Sequence, residues 1–577
     1  MRSFRGALTV TTVGALALAV AGCGPKGADG VQGSGPNPST AMDAGLDFSE
    51  PPLPTGSDDG GTVDPGSLIT HDPATCDEAA MTKSYIGCDY WPTVSFNPVW
   101  SVFDFAVVIS NPSASAANIT INGGGLTADS TAKVMPGTLV KIGLPWVASL
   151  KGADADAQGA STPPAGSILA AKGAYHLVSD IPVLVYQFNA LEYQGGTGVD
   201  LHGANWSTCP GSQKNSPTGG CFSFSNDASL LLPSTAMTPN YIVTGVHGDD
   251  LASFLGTQAF DSGFLLITSV QDNTSITVKY GTKANVLASK DGKIVASASG
   301  SSETYMLAAG DVLELVGTSG SAHDFTGSQI QANHPVQVIS GHPCMTNPQV
   351  SGDGIVAPQY SCDHVEESQL PYETWGKKYV VTAPSGPLGD VPGHTVRIYG
   401  GLTASTLTFT PAVAGAPTSI AAFAVAEFDT TTSFVVEGTS EFAIGSIQKS
   451  GAIVDPNGMD TQQGDPSLSF ISAEEQYRDK YLFLAPNDYE DSYADVVAPT
   501  GANLMLDGAA VTQTATAIGN GYGVIRIKLD AGQSGAHEMT GDHPFGIQVM
   551  GYGSYTSYQY PAGLDLKVIA AAPPPIN

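Results

Sequence analysis

Residues 173–186 read GAYHLVSDIPVLVY, two apolar-rich runs that meet at a proline. Alternation of apolar and polar residues with a period of two is typical of a β-strand with one buried face. Proline has no N–H to donate to a sheet, so at the first position of a strand it starts the pairing without interrupting it. We therefore interpret this stretch as a β-hairpin whose register is set by Pro182.

The same pattern occurs three more times along the chain. It reads SQIQANHPVQV at 328–338, HEMTGDHPFGIQV at 537–549 and, without a proline, FVVEGTSEFAI at 434–444. The prolines, with Phe442 in the place of the third, lie 153, 107 and 102 residues apart. A period near one hundred residues is the size of a β-sandwich domain, whereas a propeller blade needs about 40–50. The sequence predicts an all-β protein of tandem β-sandwich-like modules, with a single large β-propeller as the alternative.

Four modules account for most of the 577 residues, and their predicted bounds are 76–227, 228–367, 368–470 and 471–577. Glycine and proline are abundant, at 68 and 39 residues, while charged residues make up only 13%. This composition is typical of a loop-rich globular protein. Helical periodicity is nearly absent, and only residues 472–477 have the pattern of a helical turn.

The charge balance excludes one class of partner. The formal net charge is −31, from 22 basic and 53 acidic residues. A surface of this sign repels the phosphate backbone of nucleic acids. We therefore expect no nucleic-acid partner.

The N-terminal residues have the pattern of an export signal. Arg2 and Arg5 precede an uncharged run at residues 6–20, which is shorter than the ~20 residues of a membrane span. The run ends in Val-Ala-Gly-Cys at 20–23, which resembles the bacterial lipobox. The resemblance implies that residues 1–22 are a lipoprotein signal peptide, that Cys23 carries the lipid, and that the protein is anchored in the outer membrane or at the cell surface. The alternative is an ordinary secreted protein in which Cys23 has no role.

Residues 23–75 are predicted to be a disordered tether between the membrane and the body. They are rich in Gly, Pro, Ser and Asp and contain almost no aromatic residues. Such a segment cannot bury enough apolar surface to fold. Its random-coil reach is on the order of 40 Å, enough to lift the body off the lipid surface.

The six other cysteines form three neighbouring pairs: Cys76 with Cys88, Cys209 with Cys221, and Cys344 with Cys362. Six cysteines permit fifteen connectivities. Local closure costs the least chain entropy, and an exported protein lies in an oxidising compartment, so we predict three local disulfides. A zinc site is the alternative, although none of the spacings is Cys-x-x-Cys.

Two polar segments could bind a cation. The first is CDHVEE at 362–367 with His342 and Cys344 upstream; its structural alternative is that Asp363, His364 and Glu366 cap turns and bind the backbone at a connection between modules. The second contains Asp455, Asn457 and Asp460, whose side-chain oxygens suit calcium but match no EF-hand spacing. We predict no cofactor, with calcium as the weaker alternative.

No sequence signature of catalysis is present. The chain lacks a Gly-x-Ser-x-Gly elbow, a His-Glu-x-x-His motif, a phosphate-binding loop and a dinucleotide fingerprint. We therefore predict a protein that is not an enzyme. A hydrolase of surface polymers is the alternative, since a site assembled from distant strands leaves no linear motif.

Aromatic residues outside the repeats are candidates for ligand contact. Trp206 lies beside a predicted disulfide, and Tyr555, Tyr558 and Tyr560 lie among Gly and Ser near the C-terminus. Exposed aromatic rings give rigid contact area for a protein or glycan. The alternative for the tyrosines is packing of the last strand, on which Tyr558 and Tyr560 share a face.

A family resemblance runs through the chain after residue 76. The carrying residues are SDIPV at 179–183 with YQFN at 186–189, NDASLLLP at 226–233, CDHVEE at 362–367 with WGK at 375–377, and SYQYPAG at 557–563. These spaced motifs resemble the bacterial lipoproteins that carry a domain of the IgG Fc-binding protein N-terminal family. The resemblance implies binding or adhesion at a cell surface, with a protein or glycan as ligand, and it brings no catalytic residue. A structural role in the envelope or matrix is a further alternative.

Overall fold

In the computed structural model the described residues are 72–155, 162, 164–195, 221–250, 261–348, 362–458, 462–486, 489–529 and 535–576. The chain divides into two units, Met1–Ser67 and Leu68–Asn577, and all described residues belong to the second. The predicted signal peptide and Cys23 lie outside the described residues. Asp72 at the end of the predicted tether is described, and its carboxylate forms ion pairs with Arg478 and Lys480.

Within these described ranges the secondary structure consists of short helices and 32 strands. The first module contains α1 (Cys76–Thr82), β1 (Gly87–Tyr90), β2 (Phe105–Ser110), β3 (Ala117–Gly123), β4 (Ser130–Val134), β5 (Leu139–Leu144), α2 (Ala148–Lys151), β6 (Ile168–Ala170), β7 (Tyr175–Asn189) and β8 (Ala228–Leu230). The second contains β9 (Asn240–Ile242), β10 (Phe264–Ser269), β11 (Thr274–Lys279), β12 (Ser302–Leu307), β13 (Val312–Val316), β14 (Gln329–Ala332), β15 (Val336–Thr346) and β16 (Cys362–Ser368).

The third module begins with a 3₁₀ turn at Tyr372–Thr374 and contains β17 (Lys378–Val381), β18 (His394–Gly400), β19 (Ser405–Thr410), β20 (Ser419–Ile420), β21 (Val425–Thr430), β22 (Phe434–Gly438), β23 (Phe442–Gln448), α3 (Gly451–Val454) and β24 (Leu468–Phe470). The fourth begins with a 3₁₀ turn at Glu474–Gln476, where the sequence predicts a helical turn. It contains β25 (Arg478–Leu484), β26 (Asp491–Pro499), β27 (Leu504–Leu506), β28 (Ala509–Ala510), β29 (Thr516–Gly519), β30 (Tyr522–Leu529), β31 (Ala536–Gly553) and β32 (Thr556–Pro561).

All four modules share one antiparallel two-sheet topology. One sheet has the orders β4-β3-β7-β1, β12-β11-β14-β9, β20-β19-β22-β17 and β28-β27-β31-β25, and we call it the outer sheet. The other has the orders β5-β2-β7-β8, β13-β10-β15-β16, β21-β18-β23-β24 and β30-β26-β31-β32, and we call it the inner sheet. Two strands are additional, since β6 pairs with β13 and β29 with β30. The predicted all-β fold is confirmed, while the exact module bounds stay predictions.

The proline-centred stretch does not form a hairpin, and that prediction was wrong. In the first module β7 is one continuous strand whose first half pairs with β3 and whose second half pairs with β2. In the second module β14 pairs with β11 and β15 with β10, so the two flanks of Pro335 lie in different sheets. The proline therefore marks the bend at which a strand leaves the outer sheet and enters the inner one. Strands that switch sheets through a bend form the corners of such sandwiches.

Burial explains why the two sheets differ in pattern. The outer strands β3 and β11 alternate between buried and more exposed positions, as expected for a sheet with one solvent face. In contrast, β2, β10 and β18 are buried at every position. The inner sheets are thus covered on both faces, because the modules pack against each other on that side.

A tyrosine fixes the bend in each module. The hydroxyl groups of Tyr90 and Tyr241 donate to the carbonyls that follow Pro182 and Pro335, at 2.6 and 2.8 Å. Tyr379 donates in the same way to the Phe442 carbonyl, and Tyr481 to the Phe545 carbonyl. Each hydroxyl also accepts a hydrogen bond from the backbone N–H three residues earlier. Burial raises the pKa of all four hydroxyls, so they stay protonated and can donate.

The tyrosine register also corrects the third repeat. Because Phe442 is the residue whose carbonyl is bound, Glu441 rather than Phe442 holds the place of the proline.

A second hydrogen bond recurs in every module, at the residue two positions before the proline or its equivalent. The side chains of Asp180, Asn333, Thr439 and Asp542 each accept a hydrogen bond from the first residues of the neighbouring outer strand. The bend is therefore held from both sides in every module.

Replacing any one of these four tyrosines by phenylalanine should lower the free energy of unfolding by about 1–3 kcal/mol. The ring is kept, but a buried carbonyl and a buried N–H lose their partner. Urea denaturation of each variant measures the change. Tyr493→Phe is the matched control, because the Tyr493 hydroxyl has no hydrogen-bond partner within the described part of the chain, and its effect should stay within about 0.5 kcal/mol. Equal effects in all five variants would contradict the assignment.

The last inner strand of each module lies at a common centre. β8 contacts β16, β16 contacts β24, β24 contacts β32, and β32 contacts β8. The four modules of this unit therefore surround one junction, to which each contributes an inner-sheet edge.

Two of the predicted disulfides are present. Cys76 is bonded to Cys88, and Cys344 to Cys362. The first joins α1 to β1, and the second joins the ends of β15 and β16. Cys209 lies outside the described residues, so its pairing with Cys221 stays a prediction.

Candidate functional site

The polar segment at 362–367 lies at the junction of the four modules. Asp363 is fully buried, and its carboxyl group accepts hydrogen bonds from the backbone N–H groups of Asn226 and Ser557 and from the Thr556 hydroxyl, at 2.8–3.2 Å. It also accepts one from its own neighbour, His364 N–H. Asp227 mirrors it by accepting from the Glu366 N–H at 3.0 Å. The two carboxyl groups therefore bind backbone across module boundaries, as the structural interpretation of Asp363 expected.

A serine, a histidine and a glutamate meet beside this junction. The Ser95 hydroxyl donates to Glu366 Oε2, and it lies 3.3 Å from His364 Nε2. His364 Nε2 is also 3.4 Å from Glu366 Oε2. In a nucleophilic triad one ring nitrogen faces the nucleophile and the other faces the acid. Here the same nitrogen faces both, and Nδ1 has no hydrogen-bond partner among the residues that the structure describes. The three side chains are fully buried, so this cluster holds the junction together rather than meeting a substrate.

The metal interpretation of this constellation does not fit the geometry. Cys344 is in a disulfide with Cys362, and His342 Nδ1 accepts the Cys344 N–H at 3.1 Å. Burial lowers the pKa of His342 to about 3, so its ring is neutral. Within the described ranges no three His, Cys, Asp or Glu side chains are grouped so as to hold a metal ion.

The predicted calcium ligands are only partly described. Asp455 is buried, and its Oδ2 accepts the Gln463 N–H at 3.1 Å. Asn457 is exposed, and Asp460 lies outside the described residues. Calcium binding here stays the weaker alternative to the prediction of no cofactor.

The first module contains two adjacent buried carboxyl groups, Asp104 and Glu192. Glu192 Oε2 accepts the Asp104 N–H at 2.8 Å. Burial and then the charge of Asp104 raise the pKa of Glu192 to about 9. Glu192 is therefore protonated in the folded protein at neutral pH and ionised in the unfolded chain.

The raised pKa of Glu192 predicts the direction in which the free energy of unfolding changes with pH. Above the unfolded pKa of about 4.5 the folded state binds more protons than the unfolded state, so stability falls as the pH rises, until Glu192 ionises in the fold near pH 9. We expect the unfolding free energy of the wild type to fall more steeply between pH 6 and 9 than that of Glu192→Gln, by up to about 1.4 kcal/mol per pH unit. Urea titrations at each pH measure both slopes. Parallel curves would contradict the shift.

The aromatic contact candidates have different positions. Tyr558 and Tyr560 are fully buried on β32, where Tyr558 donates to Ser492 Oγ at 3.0 Å and Tyr560 donates to the Leu484 carbonyl. Their prediction as ligand contacts was wrong, because a ring with no exposed surface cannot touch a ligand. Tyr555 is half-buried against Phe224. Trp206 lies outside the described residues, so it stays a candidate.

An open pocket lies where the first two modules meet. Its volume is about 410 Å³, within the ~300–1,000 Å³ of typical small-ligand sites. Most of its wall is apolar, with hydroxyl groups and one residue of each charge at the edge. The lining residues are Phe96, Ser149, Gly152, Ala153, Thr162, Pro164, Ala165, Gly166, Ser167, Ile168, Leu169, Ser289, Lys290 and Asp291.

This pocket is built from insertions into the common topology. Thirty residues separate β5 from β7 in the first module, whereas three separate the equivalent β21 and β22 in the third. The second wall is the long connection between β11 and β12. The two insertions touch at Gly166, where an added Cβ would lie 2.0 Å from the Ala288 carbonyl oxygen. Only glycine allows this approach, so Gly166 fixes the width of the pocket.

The charge at the pocket edge is also fixed. Asp291 accepts hydrogen bonds from the Ser289 hydroxyl and the Lys293 N–H. These bonds lower the pKa of Asp291 to about 2, so it is a carboxylate at neutral pH. With Lys290 beside it, the site offers both signs of charge, hydroxyl groups and an apolar wall. This combination suits an amphipathic group such as a sugar ring or a peptide side chain.

A larger groove between the first and fourth modules is a weaker candidate. It has a volume of about 650 Å³ and includes Asp72, Ile181, Lys480 and Thr540. Lys480 already pairs with Asp72 at 3.4 Å and with Glu538 at 3.1 Å. Lys480 and Asp72 thus already pair within the protein, which makes them weaker candidates for ligand contact.

The sequence did not single out any residue of the 410 Å³ pocket. The feature of the sequence that could have revealed the pocket is the unequal length of equivalent connections, 30 residues in one repeat and 3 in another.

None of the helices in the described ranges is long and apolar enough to cross a membrane.

Comparison with known proteins identifies the family. The sequence profile described as IgGFc binding protein matches residues 227–551, more than half of the chain. The human IgGFc-binding protein is 33% identical over 109 residues, which is 16% of this chain and 2% of that protein. An anti-sigma factor domain-containing protein of known structure covers 52% of this chain and 81% of its own, at 11% identity and a TM-score of 0.10, and supports no argument about the fold. The chain belongs to the IgGFc-binding protein family, which is a ligand-binding family rather than a catalytic one.

Proposed function

We propose that this protein is a lipid-anchored cell-surface protein that acts in adhesion, by binding a protein or glycan in the pocket between its first two modules. The observation that carries the proposal is the family match over residues 227–551. The lipobox-like residues 20–23 support the anchor.

Pocket geometry supports the choice of binding site. The walls come from two modules whose relative position is fixed by β6, which adds to the inner sheet of the second module by pairing with β13. A site formed by a rigid frame loses little conformational entropy when the ligand binds. The repeated strands supply the frame, and the insertions supply the specificity, as is common for sites on shared folds.

Filling the pocket should weaken binding without disturbing the fold. Ala165 is exposed at the pocket wall, and in Ala165→Trp the indole would occupy the space of the ligand. Ala412→Trp places the same side chain in an exposed loop of the third module and serves as the matched control. We expect Ala165→Trp to weaken binding at least about tenfold, a loss of about 1.4 kcal/mol, and Ala412→Trp to leave it unchanged.

Binding is measured with two kinds of probe. Purified protein is immobilised, envelope extract and glycan fractions are passed over it, and each retained species is purified and titrated by surface plasmon resonance. The Fc fragment of IgG is titrated in parallel, because the human relative is named for it. Retention that is equal in both tryptophan variants would exclude the pocket, and retention of nothing would contradict the binding proposal.

The anchor is tested separately at Cys23. Wild-type protein from cells grown with an alkyne-labelled fatty acid should carry the label and sediment with membranes. Cys23→Ala should lose the label and the membrane association, because the thiol that takes up the lipid is absent. Ser39→Ala, in the same predicted tether, should behave as the wild type. A Cys23→Ala protein that still sediments and carries label would contradict the proposal.

A further inference from the structure

A lysine of the third module lies against an asparagine of the second. Lys449, at the end of β23, places Nζ 3.2 Å from the side-chain oxygen of Asn347, which follows β15. Both side chains are buried, at 6% and 5% exposure. They are 102 residues apart in sequence. A bond between them would link two modules covalently.

Two further groups surround the lysine nitrogen. Asp429 Oδ1 lies 2.6 Å from Nζ, and the Thr395 hydroxyl lies 2.7 Å from it. The Thr395 hydroxyl lies 3.0 Å from the Asn347 side-chain oxygen and 2.6 Å from Asp429 Oδ1, so its single proton can be donated to either acceptor. A nucleophile, a base and a donor to the carbonyl oxygen are therefore grouped around one carboxamide. Amine attack on an amide requires these three roles.

The carboxamide itself is held in one orientation. Its nitrogen donates to the backbone carbonyls of Ile447 and Gln448, at 3.2 and 2.8 Å. These bonds point the amide nitrogen away from Lys449 and direct the carbonyl side toward it. Burial raises the pKa of Asp429, but the hydrogen bonds from Lys449 and Thr395 together lower it by more, so Asp429 is a carboxylate. Its Oδ1 lies 2.6 Å from Nζ, within reach of a proton on the lysine.

We infer that Lys449 and Asn347 form an intramolecular isopeptide bond, with Asp429 as the proton acceptor and Thr395 as the donor to the carbonyl oxygen. The bond goes beyond the proposed function and does not depend on it. Because the groups are held in contact by the fold, the reaction is intramolecular and needs to occur only once in each molecule.

The step balances without any co-reactant. The Lys449 ammonium gives one proton to Asp429, and the resulting amine attacks Cγ of Asn347 to form the Nζ–Cγ bond. The Cγ–Nδ2 bond breaks, and a second proton from Nζ passes to the leaving nitrogen, which departs as ammonia. Asp429 then returns its proton to the ammonia or to solvent. No oxidant, metal or activated substrate takes part.

Mass spectrometry of the purified full-length protein tests the bond. We expect an intact mass lower by one ammonia than the mass calculated for the same disulfide-bonded chain with the same N-terminal processing. After proteolysis we expect a branched peptide that joins the segments around Asn347 and Lys449. Lys449→Arg keeps the positive charge but removes the amine nucleophile, so the loss and the branched peptide should both disappear. Asp429→Asn should slow or prevent the reaction.

The controls separate the bond from other chemistry and from misfolding. Lys293→Arg, at an exposed surface ion pair, should retain the mass loss. Circular dichroism of Lys449→Arg should match the wild type. An unmodified mass in the folded wild type would overturn the inference. So would an ammonia loss that persists in Lys449→Arg, because it would then arise at another asparagine.

Discussion

Replacement of Asp363 by alanine should lower the free energy of unfolding by about 3–5 kcal/mol, one of the two largest effects that we expect from a single substitution. Asp363 is fully buried and accepts four hydrogen bonds, from residues of the first and fourth modules and from its own neighbour. Removing it takes this acceptor from three buried backbone N–H groups, and each lost bond costs about 1–3 kcal/mol before the structure relaxes. The Thr556 hydroxyl keeps the Asn226 side-chain oxygen as an acceptor.

Chemical denaturation followed by far-UV circular dichroism measures this effect. Asp180→Ala is the matched control, because Asp180 also accepts two hydrogen bonds but lies at an exposed bend. Water can replace a lost partner there, so we expect a change of about 1 kcal/mol or less. Similar losses in both variants would show that the junction does not depend on Asp363.

Arg397→Met should be comparably destabilising, by about 3–5 kcal/mol. The Arg397 guanidinium is buried between the second and third modules, where it donates to the carboxylates of Asp324 and Glu427. Burial raises the pKa of Asp324, but the positive charge of Arg397 and the hydrogen bonds from Thr326 together lower it by more, so Asp324 is ionised. Without the arginine, a buried carboxylate has no cation to pair with.

The double variant Arg397→Met with Asp324→Leu tests this cause. Removing both charges also removes the unpaired carboxylate, and an apolar pair of similar size is often as stable as the buried ion pair. We expect the double variant to recover most of the stability lost in Arg397→Met, as measured by a double-mutant cycle in urea. Additive losses would indicate that packing of the long side chain, rather than its charge, holds the interface.

The strand class of this protein was readable from the sequence, and the topology was only partly so. Period-two alternation predicted the strands, and the spacing of the prolines predicted four related units. The hairpin interpretation failed because a proline at a strand start is equally compatible with a strand that bends into a second sheet. The distinction depends on Tyr90 bonding to the carbonyl after Pro182, 93 residues away.

The candidate pocket could not be predicted from the sequence either. Ala165 and Lys290 belong to insertions in different modules, and nothing in either segment marks the other as its neighbour. Tyr558 and Tyr560 were predicted to be exposed, because their aromatic rings lie among Gly and Ser in the sequence, but both are buried. The neighbouring glycines leave space for the buried rings. At Gly551 an added Cβ would lie 2.1 Å from the Tyr558 ring.

By itself the sequence determined the all-β class, the repetition, the acidic surface and the local cysteine pairs Cys76–Cys88 and Cys344–Cys362. These properties follow from residues close together in the chain, or from composition alone. Only the tertiary structure decided that the strands switch sheets, that the four inner edges meet at one junction, and that a pocket opens between two insertions. Those features depend on contacts between residues more than sixty positions apart. The geometry of such contacts is set by packing, and no local sequence pattern predicts it.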